Sequence, residues 1–552
     1  MKVFIKDPFL LPALLAGFGL IMASRVTAET FTTLHSFTAP SGPYPSTNSD
    51  GAYPSSGLIL QGHTLYGTAF GGGSSGWGTL FTIETDGADF TNLRSFAGYP
   101  NDGANPIGLI LSDNTLYGTA YQGGGGGYGM LFKASTNGTG FTNLHSFRLL
   151  GSDTYNDGSY PIAGLILSGN TLYGTASSGG SSGNGTVFAV NTDGTSFTNL
   201  HSFSAFYQTY NTNSDGAAPY AGLILSGNTL YGTAVYGGSS GAGTVFAVNT
   251  DGTGFTNLHS FSALSYVYYG TNSDGAYPQA GLILSCNTLY GTASSGGSSG
   301  VGTVFAVNTD GAGFINLHSF TDVDQTYYTN NDGAVPYAGL ILSGTTLYGT
   351  AIGGGSSGFG TVFAINTNGA DFTNLHSFSG VDQAYHTNSD GAIPVAGLLL
   401  AGNTLYGTAS QGGSSGNGTV FSLSLGSVSP PPDSDGDGVP DAIDQCPETH
   451  RSAIVYATGC SIAQLVPCDG PRSSGTWKNH GQYVSAVLQS ATDFLKARLI
   501  TRRQWGQIVT AAAHSKCGWN RRSDHDENRD WHRDWDCTRD SDWGRARNWG
   551  RD

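Results

Sequence analysis

Aspartates at alternating positions near residue 440 are the pattern in this chain that predicts chemistry most specifically. The segment reads DSDGDGVPDAIDQCP over residues 433–447 and follows a proline-rich spacer that begins at residue 427. Carboxylates spaced in this way place several oxygens around one hard cation, and the glycines let the backbone wrap around it. The pattern predicts a calcium-binding linker, although it lacks the glutamate that an EF-hand carries at loop position 12. The alternative interpretation is an acidic flexible linker.

Two further sets of groups recur along the chain and could bind a metal. One set is the aspartate of a DGxxP motif, found at Asp50, Asp102, Asp157, Asp215, Asp274, Asp332 and Asp390. We expect these carboxylates near the mouth of a central channel, where they either hold Ca²⁺ or simply begin a turn before proline. The other set belongs to an LHSF motif, at His35, His145, His201, His259, His318 and His376, with Arg94 in the second copy. We expect these residues around the rim, too far apart to converge, in a structural role.

Both motifs belong to a unit that the chain repeats seven times. The tyrosine of the phrase LYGTA falls at Tyr66, Tyr117, Tyr173, Tyr231, Tyr290, Tyr348 and Tyr406. The spacings, between 51 and 59 residues, are typical of a propeller or a solenoid.

One unit, residues 164–203, contains four short strand patterns: GLIL, TLYGTA, GTVFAVN and FTNLHSF. Four antiparallel strands joined in sequence form one blade of a β-propeller. The first such pattern, at residues 31–37, is a lone fourth strand, and the last, at 418–425, is a third strand with no fourth. Pairing these two closes the ring and removes exposed sheet edges. The sequence therefore predicts an all-β, seven-bladed β-propeller over residues 29–426, closed by the N-terminal strand.

The first 28 residues are typical of a secretory signal peptide. Lys2 and Lys6 precede an apolar run, and the small residue Ala28 offers a cleavage site; the alternative is a membrane anchor. No other segment has the roughly 20 apolar residues of a spanning helix. Five of the six cysteines lie after residue 445, which in an exported protein predicts disulfides. We expect a secreted or cell-surface protein with no membrane span after cleavage.

The charge balance of the repeat region limits the partners and reactions. Residues 29–426 contain three basic and twenty acidic residues, which argues against nucleic acid because phosphate recognition needs lysine and arginine. Only two glutamates occur there, and no cluster of polar residues is evident that breaks the sevenfold pattern. We therefore expect a protein without catalytic residues.

Aromatic residues are concentrated in the links between units and at the position before each third strand. Exposed aromatic rings and amides suit sugar faces and hydroxyls; the alternative is that these residues only cover the surface of the disc. The candidate ligand-binding residues are Trp77, Tyr128, Tyr207, Tyr210, Tyr266, Tyr268, Tyr269, Tyr327, Tyr328, Phe359 and Tyr385. The resulting hypothesis is a binding or adhesion protein for an extracellular polysaccharide or surface glycan. The alternatives are a structural surface spacer and a Ca²⁺-dependent carbohydrate hydrolase or lyase.

The recurring GLxL, LYGTA, GTVF and LHSF pattern over residues 29–426 resembles the GloVer-type tandem repeat of exported bacterial proteins. That resemblance implies a secreted or cell-surface location and no established activity. Residues 433–447 resemble a thrombospondin type 3 repeat. This second resemblance implies calcium ligation by the side chains of Asp433, Asp435, Asp437, Asp441 and Asp444 and by the carbonyl of Val439.

The segment 448–518 is expected to be a small α-helical module held by disulfides. Apolar spacing predicts two amphipathic helices, from Tyr483 to Leu499 and from Trp505 to Ala513. The segment resembles cysteine-bracketed WKNHG segments that follow thrombospondin type 3 repeats in some exported bacterial proteins. We expect His480 and His514 to be structural or solvent-facing rather than metal ligands. The expected bridges are Cys446–Cys460 and Cys468–Cys517, with Cys537 unpaired.

The sequence thus divides into five parts. They are a signal peptide (1–28), a propeller (29–426), a spacer with a calcium repeat (427–447), a disulfide-bonded helical module (448–518) and a disordered tail rich in Trp, Arg and Asp (519–552).

Overall fold

A computed structural model describes most of the repeat region and much of the C-terminal module. The described residues are 28–100, 102–148, 157–207, 211–265 and 270–426, and those from 434 to 517 except 436–438, 440–443, 447, 450–453, 457–459, 472–474 and 498. The described residues up to 426 belong to one compact unit and those from 434 to another. The predicted disordered tail and all but the last residue of the predicted signal peptide lie outside the described residues.

The first unit is a β-propeller of seven antiparallel sheets, or blades, which confirms the predicted fold class. Blade 1 contains β2 (Ala52–Pro54), β3 (Ile59–Gln61), β4 (Thr64–Gly71), β5 (Thr79–Glu84) and β6 (Thr91–Ser95). Blade 2 contains β7 (Gly103–Ser112), β8 (Thr115–Gly123), β9 (Met130–Ser135) and β10 (Thr142–Ser146). Blade 3 contains β11 (Ile166–Ser168), β12 (Thr171–Ala176), β13 (Thr186–Asn191) and β14 (Thr198–Ser202). Blade 4 contains β15 (Ile224–Ser226), β16 (Thr229–Ala234), β17 (Thr244–Asn249) and β18 (Thr256–Ser260).

The remaining three blades repeat the same pattern. Blade 5 contains β19 (Ile283–Ser285), β20 (Thr288–Ala293), β21 (Thr303–Asn308) and β22 (Ile315–Ser319). Blade 6 contains β23 (Ile341–Ser343), β24 (Thr346–Ala351), β25 (Thr361–Asn366) and β26 (Thr373–Ser377). Blade 7 contains β27 (Leu399–Ala401), β28 (Thr404–Ala409), β29 (Thr419–Leu425) and, as its outer strand, β1 (Ala28–Ser36).

The N-terminal strand closes the ring, as predicted. β1 pairs with β29 in antiparallel register, with Phe31 opposite Leu423 and Thr33 opposite Phe421. The rings of Phe31 and Phe421 stack with centroids 5.0 Å apart. This pairing satisfies the two sheet edges that the ends of the repeat array would otherwise expose.

Within each blade the outer strand bulges just before the LHSF histidine. In blade 3, Val187 of β13 faces His201, whereas the next residue, Phe188, faces Asn199, so that Leu200 is an extra residue. The same irregularity occurs in all seven blades. Bulges of this kind redirect side chains at a sheet edge, and here they set the outer strand that carries the histidines.

The hydrophobic core lies between blades. Between blades 2 and 3, Tyr117 and Phe147 from one side pack against Leu172 and Phe188 from the other, and equivalent clusters occur at all seven interfaces. Fully burying one such side chain stabilises the fold by about 1.5–3 kcal/mol. The threonine of each LYGTA motif adds a hydrogen bond across the interface to a carbonyl of the next blade.

The glycine that opens each third strand permits close contact with the next blade. Gly185 has a φ of +102°, and a Cβ atom there would lie 2.5 Å from Cδ of Pro219, the DGxxP proline that leads into blade 4. An L-residue would therefore be strained both in its backbone and by the clash. The same glycine–proline contact occurs at all seven interfaces.

The second unit contains a short helix and an antiparallel helix pair. The helices are α1 (Ile462–Leu465), α2 (His480–Lys496) and α3 (Arg502–His514). α2 overlaps the predicted helix from Tyr483 to Leu499 but ends at Lys496, α3 spans the predicted helix from Trp505 to Ala513, and α1 was not predicted. Trp477 packs with Val487 and Ala512 in the buried core of this unit, and its ring nitrogen donates to the Pro467 carbonyl at 2.8 Å. Asn479 and Thr501 cap the two longer helices, as short polar residues do at helix N-termini.

Candidate functional site

One face of the propeller carries the longest and most variable connections. We call it the link face: it holds the links from each outer strand to the next inner strand and the glycine loops that join second to third strands. Hydrogen bonds join the two kinds of connection. Asn213 Oδ1 accepts from the N–H of Gly216 in a link and from the N–H of Gly238 in a glycine loop, both at 2.9 Å. The links are therefore braced against the rigid blades.

Each link is closed at its base by the DGxxP aspartate. In the link to blade 5, Asp274 Oδ2 lies 3.0 Å from Nε2 of His259 and accepts from the N–H of Ser262 at 3.0 Å. The Ser262 hydroxyl donates to the other carboxylate oxygen. The His259 ring stacks on Phe314 of the next blade with centroids 3.8 Å apart. Aspartate, histidine and phenylalanine thus join the link to two neighbouring blades.

The same cluster recurs around the ring. A histidine–aspartate pair at 2.9–3.0 Å occurs in six of the seven links. In the seventh, Arg94 replaces histidine, and its Nη2 lies 2.7 Å from Asp102 Oδ2 while its guanidinium lies 3.6 Å from the centroid of Phe141. The structure therefore gives the LHSF histidines contacts of a structural kind. The predicted position of the DGxxP carboxylates at the mouth of the channel is wrong, because they contact the outer strand of the preceding blade.

The hydrogen bonds in these clusters favour the ionised carboxylate. Burial alone would raise the pKa of Asp274, but the hydrogen bonds from His259 and Ser262 outweigh burial and lower the pKa below its ordinary value of 3.8. The pKa values of the equivalent Asp50, Asp215, Asp332 and Asp390 are lowered for the same reasons. These carboxylates are therefore charged and engaged within the fold.

A signal for this brace was present in the sequence and was missed. Five links carry asparagine two residues before the aspartate, and the same five carry serine or threonine directly after the LHSF phenylalanine. The links into blades 2 and 3 lack both, with Pro100 and Tyr155 at the first position and Ala97 and Arg148 at the second. This joint presence indicates that the two positions belong to one hydrogen-bonded unit.

Exposed tyrosines stand on the links. We call them the link tyrosines: Tyr44, Tyr99, Tyr207, Tyr327 and Tyr385. Their exposed fractions run from 66% for Tyr99 to 85% for Tyr44. Each belongs to a different link, so in the described part of the chain five links present a tyrosine ring to solvent.

The turns that carry two of these rings are held by backbone hydrogen bonds. Asp324 Oδ1 accepts from the N–H groups of Thr326 and Tyr327, both at 2.9 Å, and the Tyr328 N–H donates to the Asp324 carbonyl at 2.7 Å. Asp382 makes the equivalent bonds below Tyr385. The rings are thus displayed on ordered turns.

An open groove of about 480 Å³ adjoins Tyr327. It lies between the link into blade 6 and the glycine loop of the same blade. Its lining residues are Thr326, Tyr327, Thr329, Ser356, Ser357 and Phe359. Aromatic rings and hydroxyls without a charged side chain are the lining that a sugar suits.

The remaining predicted ligand-binding residues differ in environment. Trp77 packs against Tyr44 with ring centroids 5.8 Å apart, Tyr128 packs against Tyr160 at 5.7 Å, and Tyr328 is exposed beside Tyr327. Four others, Tyr210, Tyr266, Tyr268 and Tyr269, lie outside the described residues. The structure thus brings Tyr327 and Phe359 to one groove and leaves the other described candidates on separate links and loops.

A second aromatic cluster, not predicted, lies where several blades converge on the channel. We call Tyr121, Tyr160, Tyr220, Tyr236 and Tyr337 the channel-mouth tyrosines. The rings of Tyr121 and Tyr160 are 5.1 Å apart. Burial raises the pKa of Tyr220, and the neighbouring tyrosines 236, 337 and 121 raise it further, although these neighbours belong to blades 4, 6 and 2. The expectation that no cluster breaks the sevenfold pattern is therefore wrong.

The predicted calcium segment is only partly described. Asp433, Asp437 and Asp441 lie outside the described residues. Asp435 Oδ2 accepts from the Thr449 N–H at 2.6 Å, and Asp444 Oδ1 accepts from the Cys446 N–H at 2.7 Å. Asp444 Oδ2 is buried and has no hydrogen-bond partner in the described structure. Among the described residues, no group of three or more His, Cys, Asp or Glu side chains has the arrangement of a metal site.

Disulfides hold the C-terminal unit together. The structure contains Cys446–Cys460 and Cys468–Cys517, the same pairs that the sequence suggested; Cys537 lies outside the described residues. His480 contacts the carbonyls of Cys517 and Ala513 at 2.7 and 3.1 Å. None of the described helices combines the length and hydropathy of a membrane span.

Comparisons with known proteins identify the repeat. The profile of the Gloeobacter/Verrucomicrobia repeat matches residues 15–147, 46–212, 146–330 and 205–421. No curated protein sequence matches the chain.

Similar solved structures share only low identity with this chain. A nidogen/laminin complex has 15% identity, covering 56% of this chain and 93% of that chain, at a TM-score of 0.32. Oligogalacturonate lyase from Vibrio parahaemolyticus has 10% identity, covering 72% and 97%, at 0.41. The N-terminal domain of Nup159 has 12% identity, covering 73% and 98%, at 0.38. These likenesses do not decide whether this chain is an enzyme.

Proposed function

The chain belongs to the Gloeobacter/Verrucomicrobia repeat family, and we propose that it is an exported, non-enzymatic protein that binds polysaccharide. The ligand is an extracellular polysaccharide or surface glycan, and the link face of the propeller is the binding surface. The observation that carries this proposal is the set of link tyrosines, each at least 66% exposed. A tyrosine ring stacks on a sugar face while its hydroxyl forms hydrogen bonds.

The local backbone supports a role for the displayed rings. Tyr328 adopts a φ of +55° and His386, at the equivalent place in the next link, a φ of +54°. A bulky residue in the left-handed region costs stability, and the Asx turns at Asp324 and Asp382 maintain it. Rings carried on an ordered turn lose less conformational entropy when a ligand binds than rings on a flexible loop.

The charge distribution supports a neutral ligand and a non-enzymatic role. The repeat region has three basic residues, of which Arg94 is bonded to Asp102 and Lys133 to the Thr192 carbonyl. The DGxxP aspartates and LHSF histidines are engaged with one another. General acid–base catalysis needs titratable groups directed at a substrate. These histidines and aspartates instead contact one another within the protein.

The proposal is tested by electrophoresis of the full chain in gels that contain laminarin, arabinoxylan, galactomannan or dextran. We expect at least one of these neutral polysaccharides to retard the chain without release of reducing ends. Retardation by none of them would contradict polysaccharide recognition and favour the spacer. Release of reducing ends from these neutral chains would indicate the hydrolase.

The face is tested by blocking one side at a time in a Cys537→Ser background. Cys286 is exposed and unpaired and lies in the β19–β20 turn on the face opposite the links, so it accepts a 5 kDa polyethylene glycol maleimide there. We expect this adduct to leave retardation within about twofold of the unlabelled chain. The same reagent on Tyr385→Cys, with Cys286→Ser, is expected to abolish retardation. Equal effects from both adducts would rule out the link face as the specific binding surface.

We also propose that the linker over residues 433–444 binds Ca²⁺. The buried, unpartnered oxygen of Asp444 supports this proposal, because a buried carboxylate oxygen needs a compensating partner, and Ca²⁺ prefers carboxylate and carbonyl oxygens. Calorimetric titration of the full chain with Ca²⁺ is expected to show one site that Asp444→Asn weakens at least tenfold. This variant keeps Oδ1 for the Cys446 N–H. Asp493→Asn on α2 is the control and should leave the affinity unchanged.

A further inference from the structure

The seven copies differ at two positions that flank the DGxxP proline near the central channel on the link face. The LYGTA motif, the DGxxP aspartate and proline, and the glycine before each third strand are identical in all seven copies. The residue before each proline, in contrast, is Tyr53, Asn105, Tyr160, Ala218, Tyr277, Val335 or Ile393. The residue after it is Ser55, Ile107, Ile162, Tyr220, Gln279, Tyr337 or Val395. A scaffold position is repeated because packing fixes it, so the variation marks positions that packing leaves free.

The residues before proline carry backbone strain that glycine would relieve. All seven have φ between +54° and +58°, including the β-branched Val335 and Ile393. Each is held by donating its N–H to a carbonyl of the preceding blade, as Tyr277 does to Ala242 at 2.8 Å. Glycine adopts this conformation without steric cost, yet no copy uses it. The side chains are therefore retained in spite of the strain.

The inner strands bring these positions together. The glycines that begin the GLIL segments approach their neighbours closely: a Cβ atom on Gly222 would lie 3.1 Å from the Gly164 carbonyl oxygen, and one on Gly339 would lie 3.2 Å from that of Gly281. The chain passes from the link face through each proline to these glycines. Tyr220 and Tyr337 lie two residues before the glycines, and so lie just above the narrow ring that the glycines form.

The channel-mouth tyrosines come from blades 2 and 4 and from the links into blades 3, 4 and 6. Tyr160 contacts Tyr121 at 5.1 Å and Tyr128 at 5.7 Å between ring centroids, and Tyr236 contacts Tyr277 at 5.7 Å. Burial raises the pKa values of Tyr160, Tyr220 and Tyr337, and the residues that raise them further are other tyrosines. The hydroxyls of Tyr160, Tyr220 and Tyr337 therefore stay protonated and uncharged.

The hydroxyls of the cluster are available to a ligand. Within the described structure, those of all five channel-mouth tyrosines make no hydrogen bond to protein, while their rings are partly covered. A hydroxyl can donate one hydrogen bond and accept two. Several such groups beside stacked rings match the alternating apolar faces and hydroxyls of a neutral sugar chain.

We propose that the channel-mouth tyrosines form a single, asymmetric binding site for a segment of neutral polysaccharide. This inference rests on the proposed function and deepens it, since it predicts one principal site per chain rather than seven equivalent sites. The link tyrosines then contact the chain weakly where it leaves the mouth of the channel. An anionic chain is disfavoured, because the cluster has no basic side chain.

The test compares two variants of the full chain with whichever polysaccharide retards the wild type. The first, Tyr121→Phe/Tyr220→Phe/Tyr337→Phe, removes three channel-mouth hydroxyls and keeps the rings. The second, Tyr207→Phe/Tyr327→Phe/Tyr385→Phe, removes three hydroxyls from the link tyrosines. Calorimetry with an oligosaccharide of the retarding polymer gives the stoichiometry. We expect one ligand per chain, a loss of affinity of at least tenfold in the first variant and of less than threefold in the second. Unchanged thermal midpoints show that both variants remain folded.

Other outcomes separate this inference from the proposed function. Binding that is lost in the second variant and kept in the first would overturn the channel-mouth site while leaving polysaccharide recognition by the link face intact. A stoichiometry of several equivalent ligands per chain would also overturn it. Absence of binding by the wild type to all four polysaccharides would overturn both proposals.

Discussion

The interfaces between blades and the mouth of the channel are built from the same seven repeats but differ in how uniform they are. At the interfaces, each copy supplies an aspartate, a histidine or arginine, and a phenylalanine in the same contacts. At the channel mouth, the corresponding positions hold tyrosine, asparagine, glutamine, valine, isoleucine, alanine or serine. The uniform layer pairs each aspartate with a histidine or an arginine of the protein, and the variable layer leaves tyrosine hydroxyls without a protein partner among the described residues.

Blade 1 shows which property of the uniform layer matters. Arg94 replaces histidine there and still contacts the link aspartate and the phenylalanine of the next blade. What is kept is a planar donor between a carboxylate and a ring, and histidine is one way to supply it. Chemistry that can be replaced in this way indicates a structural role.

The largest loss of stability is expected in acid, which protonates the DGxxP aspartates of the uniform layer at the blade interfaces. The pKa values of Asp50, Asp215, Asp274, Asp332 and Asp390 are lowered in the folded state. Their contribution to stability is therefore fully present above the unfolded pKa of about 3.9 and is lost as pH falls through the folded values. We expect the urea midpoint to drop clearly between pH 5 and pH 3. Equal midpoints at these two pH values would contradict a stabilising role for the clusters.

Adding a single methyl group at a blade interface is expected to reduce the stability of the fold nearly as much as acid does. Gly243 has a φ of +101°, and a Cβ there would lie 2.5 Å from Cδ of Pro278 and 2.7 Å from the Ala234 carbonyl oxygen. We expect Gly243→Ala to lower the free energy of unfolding by about 4 kcal/mol. Gly227→Ala in the same blade is the control, since φ is +58° with nothing within 4 Å; we expect about 1–2 kcal/mol from the backbone alone. Equal losses in urea titrations would show that the contact with proline is unimportant.

Replacing one histidine tests whether arginine is an equivalent solution. His259→Ala removes the contact with Asp274 and the stacking on Phe314, and we expect a loss of about 2 kcal/mol. His259→Arg reproduces the arrangement of blade 1 and is expected to cost less than about 1 kcal/mol. Thermal and urea denaturation of both variants measures the difference. A larger loss for arginine than for alanine would show that blade 1 depends on features absent from blade 4.

The smallest effect on stability is expected at the channel mouth. Tyr220→Phe and Tyr337→Phe remove hydroxyls that have no protein partner among the described residues, so the free energy of unfolding should change by less than about 0.5 kcal/mol. A loss above about 1 kcal/mol in urea titrations would indicate an internal hydrogen bond and weaken the contrast between the two layers.

Much of the fold could be predicted from the sequence because the same pattern of strands and turns occurs seven times. Alternating apolar residues, glycine turns and the LYGTA spacing specify four strands per unit, and the unpaired strand patterns at residues 31–37 and 418–425 specify closure. The helical regions and the two disulfide pairs of the C-terminal unit also agree with the sequence reasoning. Period and turn chemistry are local properties, so they can be read without knowing which units become neighbours.

The sites depended on contacts between units, which only the tertiary structure decides. The DGxxP aspartates were expected at the channel, but the length and path of each link return them to the outer strand that the link has just left. Tyr121, Tyr220 and Tyr337 are far apart in sequence and belong to blades 2, 4 and 6, and they become neighbours because seven inner strands converge at closely spaced glycines. The sequence by itself determined the blades and their closure, whereas the convergence of the blades decided which side chains face one another.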